Sequence, residues 1–173
     1  IGVSFQQDMK YGLAIDDSPW ETTYLHATDP ALSLDGLHGA ASVQMVASGE
    51  AEIPKFQDGP ISAAVDGIAW DSIFVNVWGK SFSPDGTRLA AEVRTTLYDY
   101  TIAVDGVVWP KTFSGVWEPL FHPATAAVLA PVRIQGKWTL AQDAEILWTN
   151  RYFQLWHPVF SPDGTRIAAI VSP

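Results

Sequence analysis

Phe82-Ser83-Pro84-Asp85-Gly86-Thr87-Arg88-Leu89-Ala90-Ala91 returns 78 residues later as Phe160-Ser161-Pro162-Asp163-Gly164-Thr165-Arg166-Ile167-Ala168-Ala169. Phe121-His122-Pro123 stands midway, so the period is 39 residues, and self-similarity at such a period marks a repeat architecture. Twelve residues before Leu32, Phe82, Phe121 and Phe160 stand Trp20, Trp70, Trp109 and Trp148. The fourth residue after each of these is aromatic (Tyr24, Phe74, Phe113, Tyr152), and the eighth is Thr28, Trp78, Trp117 or Trp156. Trp138 lies five residues before Asp143, as Tyr11 lies before Asp16 and Tyr100 before Asp105. All 8 tryptophans therefore occupy repeat positions.

Within a unit, β-branched and aromatic runs are punctuated by Asp-Gly or Ser-Pro-Asp-Gly, as in Tyr100 to Val104, Asp105-Gly106, then Val107 to Trp109. Such runs predict consecutive antiparallel hairpins. Four strands in about 40 residues, repeated, is the arithmetic of a β-propeller blade. No stretch carries a sustained 3.6-residue apolar period, so very little helix is expected. The fold class is all-β: four-stranded antiparallel blades, about four 39-residue repeats, in a single array over residues 1–173. The first unit is longer, with 30 residues from Gly36 to Asp66 against 19 from Gly86 to Asp105. The excess is expected within 37–56, split between Leu37 to Ala40 and the stretch from Glu50 to Phe56.

Ten Lys and Arg against 19 Asp and Glu leave a net charge of −9, which repels phosphate backbones and anionic head groups and argues against nucleic acid as a partner. With no Cys, disulfides, thiolate metal sites and cysteine nucleophiles are excluded, and the redox compartment, cytoplasmic or periplasmic, is left undecided. No apolar run is long enough to span a bilayer, so direct membrane insertion is not expected. The chain opens at Ile1 rather than Met, so a targeting segment can precede it.

No nucleophile elbow, phosphate-binding glycine loop or dinucleotide fingerprint occurs, and no catalytic residue is assigned. The recurring Asp85 and Asp163 are read as turn residues rather than metal ligands, because Pro presets φ, Asp bonds nearby backbone and Gly takes the positive φ. His26, Asp29, Asp35 and His38 form the densest group of ligand-type residues, but the spacing matches no metal motif, and neither metal nor cofactor is expected. The period-matched tryptophans read as packing between blades, with an exposed aromatic patch for a partner as the other reading. Two features break the symmetry and are the candidates for partner binding: Trp138, and the segment carrying Glu50, Glu52, Lys55, Phe56 and Asp58.

The run from Phe82 to Ala91 resembles the WD40-like family of β-propeller repeats, of the kind found in the periplasmic Tol-associated propeller and in propeller domains of some serine peptidases. The copy at Phe121 keeps Pro123 but has Ala124-Thr125 for Asp-Gly, and the first copy has Leu34 where Pro is expected. The Gly-His and Trp-Asp pairs of true WD40 repeats are missing. The tryptophan load and Ala-Val-Asp-Gly before Trp109 are also similar to a tryptophan-rich propeller subunit of transmembrane electron-transfer complexes of sulfate-reducing bacteria, which implies a cofactor-free accessory subunit. The expected function is a non-enzymatic protein-interaction scaffold or accessory subunit; the alternative is a small-molecule or carbohydrate-binding propeller, or the propeller remnant of an enzyme. Both chain ends supply the same blade strand, so a monomer can close as four blades, but four is the low end of blade numbers, and the expectation is two chains completing one ring of about eight blades as a homodimer or a chain that is part of a longer propeller.

Overall fold

The structure, a computed structural model, describes residues 2–7, 10–47 and 60–173, without the side chains of 4–7. The described residues form five antiparallel sheets and no helix. The first sheet holds β1 (Gly2–Gln7), β2 (Lys10–Ile15) and β3 (Ser18–Pro19). The second holds β4 (Ala27–Leu32), β5 (Gly39–Gln44), β6 (Ile61–Val65) and β7 (Ile68–Ala69). The third holds β8 (Asn76–Phe82), β9 (Leu89–Arg94), β10 (Tyr100–Val104) and β11 (Val107–Val108). The fourth holds β12 (Leu120–Phe121), β13 (Val128–Ile134), β14 (Lys137–Gln142) and β15 (Glu145–Ile146). The last pairs β16 (Gln154–Phe160) with β17 (Ile167–Ser172). In each four-stranded sheet the strands pair in chain order, as a meander.

The repeat period is visible in the backbone. Tyr24, Phe74, Phe113 and Tyr152 make isolated antiparallel bridges to Tyr11, Ile61, Tyr100 and Trp138, so each aromatic four residues after a frame tryptophan extends the sheet beyond its short last strand. The two-residue turns into those strands have positive φ at both positions: Asp16 and Asp17 at 47° and 67°, Asp66 and Gly67 at 49° and 83°, Asp105 and Gly106 at 51° and 82°, Asp143 and Ala144 at 48° and 71°. These values match the type I′ geometry whose twist suits a hairpin. The turn Asp also reaches outward, since Asp66, Asp105 and Asp143 Oδ1 accept the N–H of Gly39, Leu89 and Val128, each at 2.9 Å.

The Ser-Pro-Asp-Gly segments are self-contained turns. Ser83 Oγ donates to Asp85 Oδ1 at 2.6 Å and accepts the Arg88 N–H at 3.0 Å, while the Thr87 N–H and hydroxyl both donate to Asp85. Ser161, Asp163, Thr165 and Arg166 repeat the pattern. Where the fourth sheet lacks Asp-Gly, His122 substitutes: its Nδ1 accepts the Ala124 N–H at 3.1 Å, and its Nε2 lies 3.1 Å from the Gly164 carbonyl. The expected excess in the first unit falls at one place. The turn from Leu32 to Gly39 has the length of its sibling from Phe82 to Leu89, whereas sixteen residues lie between the paired Gln44 and Ile61 and five between Arg94 and Tyr100, a difference of eleven.

Apolar clusters lie between successive sheets. Leu13 and Trp20 pack with Ala41, Val43 and Ala64; Ala40 and Ala63 pack with Phe74, Leu89, Ala91 and Val93; Ala90, Ile102 and Trp109 pack with Val128, Ala130 and Ala144; Leu129 and Leu140 pack with Leu155. Strict alternation in β9 makes this possible, because Leu89, Ala91 and Val93 face the preceding sheet while Ala90 faces the following one. No strand pairing joins the first sheet to the last among the described residues.

Candidate functional site

The frame tryptophans divide into two sets. Trp20 and Trp109 are buried at 9% and 7% exposure. A Cβ on Gly67 would meet Trp20 at 3.4 Å and one on Gly106 would meet Trp70 at 3.2 Å, so these indoles cover the next sheet's turn. That is packing between repeats. Trp78, Trp117 and Trp156, eight positions later, instead line a cavity of about 1100 Å³ together with Tyr100, Trp138 and Phe153. Trp117 stacks on Trp138 with ring centroids 4.8 Å apart and planes at 19°, yet remains 45% exposed. Trp78 lies 6.3 Å from Tyr100.

The backbone turns toward this cavity by one device. The ninth residue after each frame tryptophan, Asp29, Gly79, Glu118 or His157, has positive φ, at 54°, 49°, 35° and 51°. In β4, β8 and β16 the pairing register breaks at this place, between Thr28 and Ala31, Trp78 and Ser81, and Trp156 and Val159, which is a β-bulge. Bulges re-aim side chains and cluster at sites, as do non-glycine residues held at positive φ. All four residues line the cavity.

Charged groups follow the bulges from sheet to sheet. Lys80, where the sibling repeats have Pro30, Pro119 and Pro158, extends Nζ back to Asp29 Oδ2 at 2.6 Å and Ser42 Oγ at 2.7 Å. Its side chain is only 1% exposed, and burial lowers its pKa against the opposing pull of Asp29. Glu92 stands opposite Trp78 across β8 and β9. Its Oε1 accepts the Glu118 N–H at 2.7 Å, and the other oxygen has no hydrogen bond among the described residues. Burial pushes the Glu92 carboxyl up to about 7; the Glu118 and Asp29 carboxylates add to the rise, and the Glu118 N–H and Lys80 oppose it. Gly79 leaves the room that Glu92 occupies, because a Cβ at that position would collide with Glu92 Oε1 unless the carboxylate moved. Glu118 Oε2 lies 3.6 Å from His157 Nδ1.

Of the residues singled out from sequence, Trp138 stands in the cavity wall, half-buried against the cluster around Leu140. Glu50, Glu52, Lys55, Phe56 and Asp58 lie outside the described residues. His26, Asp29, Asp35 and His38 go to separate partners: His26 sits edge-on to Tyr11, Asp29 holds Lys80, Asp35 closes its own turn, and His38 Nδ1 contacts Asp66 Oδ2 at 2.7 Å. Among the described residues no three metal-ligating side chains converge. Glu92, Glu118 and Gly79 escape a reading of sequence alone, although the ninth position carried a signal in its change of residue type from repeat to repeat while Trp20, Trp70, Trp109 and Trp148 stay constant.

No family model and no curated protein matches the chain. Among solved structures, TolB from Acinetobacter baumannii aligns with 99% of this chain at 13% identity and a TM-score of 0.44, and the chain spans 40% of that protein's length.

Proposed function

We propose that the chain is a β-propeller repeat array whose sheets are successive blades, acting as a non-enzymatic scaffold or accessory subunit that holds a partner protein in the cavity beside Trp117. The observation that carries this reading is the exposure of Trp117. An indole stacked on Trp138 yet 45% open to solvent, in a concave wall of six aromatic rings, has the character of an interface anchor. A membrane electron-transfer complex is one assembly in which such a subunit would serve. The test is capture from native extract: the wild-type chain retains a stoichiometric protein, and Trp117→Ala loses it while keeping its melting temperature. A parallel chain shortened by eleven residues between Gln44 and Ile61 reports on Glu50, Glu52, Lys55, Phe56 and Asp58.

A second reading rests on the same concavity. Aromatic walls with a few polar groups also suit a small molecule or carbohydrate, and 1100 Å³ is ample for one. Under this reading a ligand screen raises the melting temperature of the isolated chain.

A further inference from the structure

We propose that the cavity recognises a cationic side chain, the ammonium of a lysine presented by an extended peptide segment, between the aromatic walls and the carboxylates of Glu92 and Glu118. The inference rests on the reading of the cavity as a partner site and names the chemistry that the partner must bring.

Three observations converge. First, among the described residues neither Glu92 nor Glu118 has a Lys or Arg in contact with its carboxylate, although Arg133 also lines the cavity. Asp29 is paired with Lys80, but among the described residues Glu92 has one oxygen bound by a backbone N–H and the other without a hydrogen bond, and the Glu118 carboxylate has the 3.6 Å contact to His157 alone. Second, the Glu118 N–H sits on Glu92 Oε1 at 2.7 Å, and at this range the Glu118 carboxylate disfavours ionisation of Glu92, a repulsion that a bound cation relieves. Third, much of the wall is aromatic, with Trp78 beside Tyr100 and Trp117 stacked on Trp138. The face of an aromatic ring attracts an ammonium, and the chain already uses this contact where Lys137 Nζ lies 4.8 Å from the centre of the Phe153 ring. A neutral sugar would find the aromatic rings but would bring no charge to offset the Glu92 and Glu118 carboxylates. Arg133 and Gln154 also line the cavity and offer donors to the carbonyl groups of a bound peptide.

The titratable and charged groups around Glu92 are Lys80 on its partner strand, Asp29 from the preceding sheet, and Glu118, Arg133 and His157 from the following two. Binding of a cation requires the ionised carboxylate, so affinity should rise between pH 6 and pH 8 as Glu92 loses its proton.

The experiment titrates tryptophan fluorescence of the whole chain at low salt with three probes: acetyl-Ala-Lys-Ala-amide, its norleucine counterpart, and cellobiose. The lysine peptide should saturate with affinity about tenfold above the norleucine peptide, the size of a single desolvated charge contact. Glu92→Gln, checked for an unchanged far-UV spectrum, should bring that preference close to unity and remove the pH dependence, while Trp117→Ala weakens both peptides. Equal binding of the two peptides, an intact preference in Glu92→Gln, saturation by cellobiose alone, or no response to any probe each overturns the assignment of a cation site. The capture experiment with Trp117→Ala judges the partner site separately, because it does not depend on the chemistry of the probe.

Discussion

Glu92 makes stability fall as pH rises. Its folded pKa of about 7 lies above the ordinary 4.5, so folding favours the protonated form. Its contribution is complete below the ordinary value and is lost as pH rises through 7. His38, raised by its hydrogen bond to Asp66, acts in the same sense, so wild type and variant must be compared at each pH. Glu92→Gln is expected to melt near wild type at pH 5 and above it at pH 8; a difference that is the same at both pH values would show that Glu92 is not held neutral by the fold. Asp85 and Asp163, held near 2 by Ser83 and Ser161 and by their local N–H groups, act oppositely, and their stabilisation fades only as pH falls from the ordinary carboxylate value toward 2. The tryptophans offer a second contrast. Trp109 fills the space between two sheets, so Trp109→Ala should cost about 3–5 kcal/mol in equilibrium denaturation. Trp20 buries an Nε1–H with no acceptor among the described residues, so Trp20→Phe removes an unsatisfied donor along with some volume, and its net effect should stay within about 1 kcal/mol.

At the scale of elements, the type I′ turns decide how well each hairpin closes. Gly106 combines a φ of 82° with a Cβ position 3.2 Å from Trp70, so Gly106→Ala should destabilise by about 1–2 kcal/mol through left-handed strain, with crowding of the indole in addition. Asp17 occupies the equivalent place at 67° and is exposed, so Asp17→Gly should stabilise by about 0.5 kcal/mol. Thermal melts of the two variants should therefore move in opposite directions; movement in one direction would separate the turn from its assigned role. The Asp-Gly and Ser-Pro-Asp-Gly segments were legible in the sequence because turn geometry depends on local backbone preferences. The hydrogen bonds from Gly39, Leu89 and Val128 to the turn carboxylates were not, since they join residues that only strand pairing brings together.

For the whole molecule, the order of sheets leaves the last one with a bare face. In β9, Ala90 is fully covered by the next sheet, whereas its counterpart Ala168 is exposed and Ile170 and Val159 are 53% and 56% exposed. Apolar faces and open strand edges favour association. We propose that two copies associate through this face, read by light scattering as twice 18.9 kDa at rising concentration; a mass of one chain at all concentrations would overturn it. The all-β class, the 39-residue period, the hairpin turns and the burial of Trp20 and Trp109 were legible along the chain, because periodicity, β propensity and turn chemistry are local properties repeated from unit to unit. That Trp78, Trp117 and Trp156 line a cavity rather than a core, and that Asp29, Glu92, Glu118 and His157 stand along it with Lys80 buried against Asp29, came from contacts between sheets. The physical reason is that a bulge turns a side chain by a change in φ at one residue, and what that side chain then meets belongs to a neighbouring sheet about forty residues away.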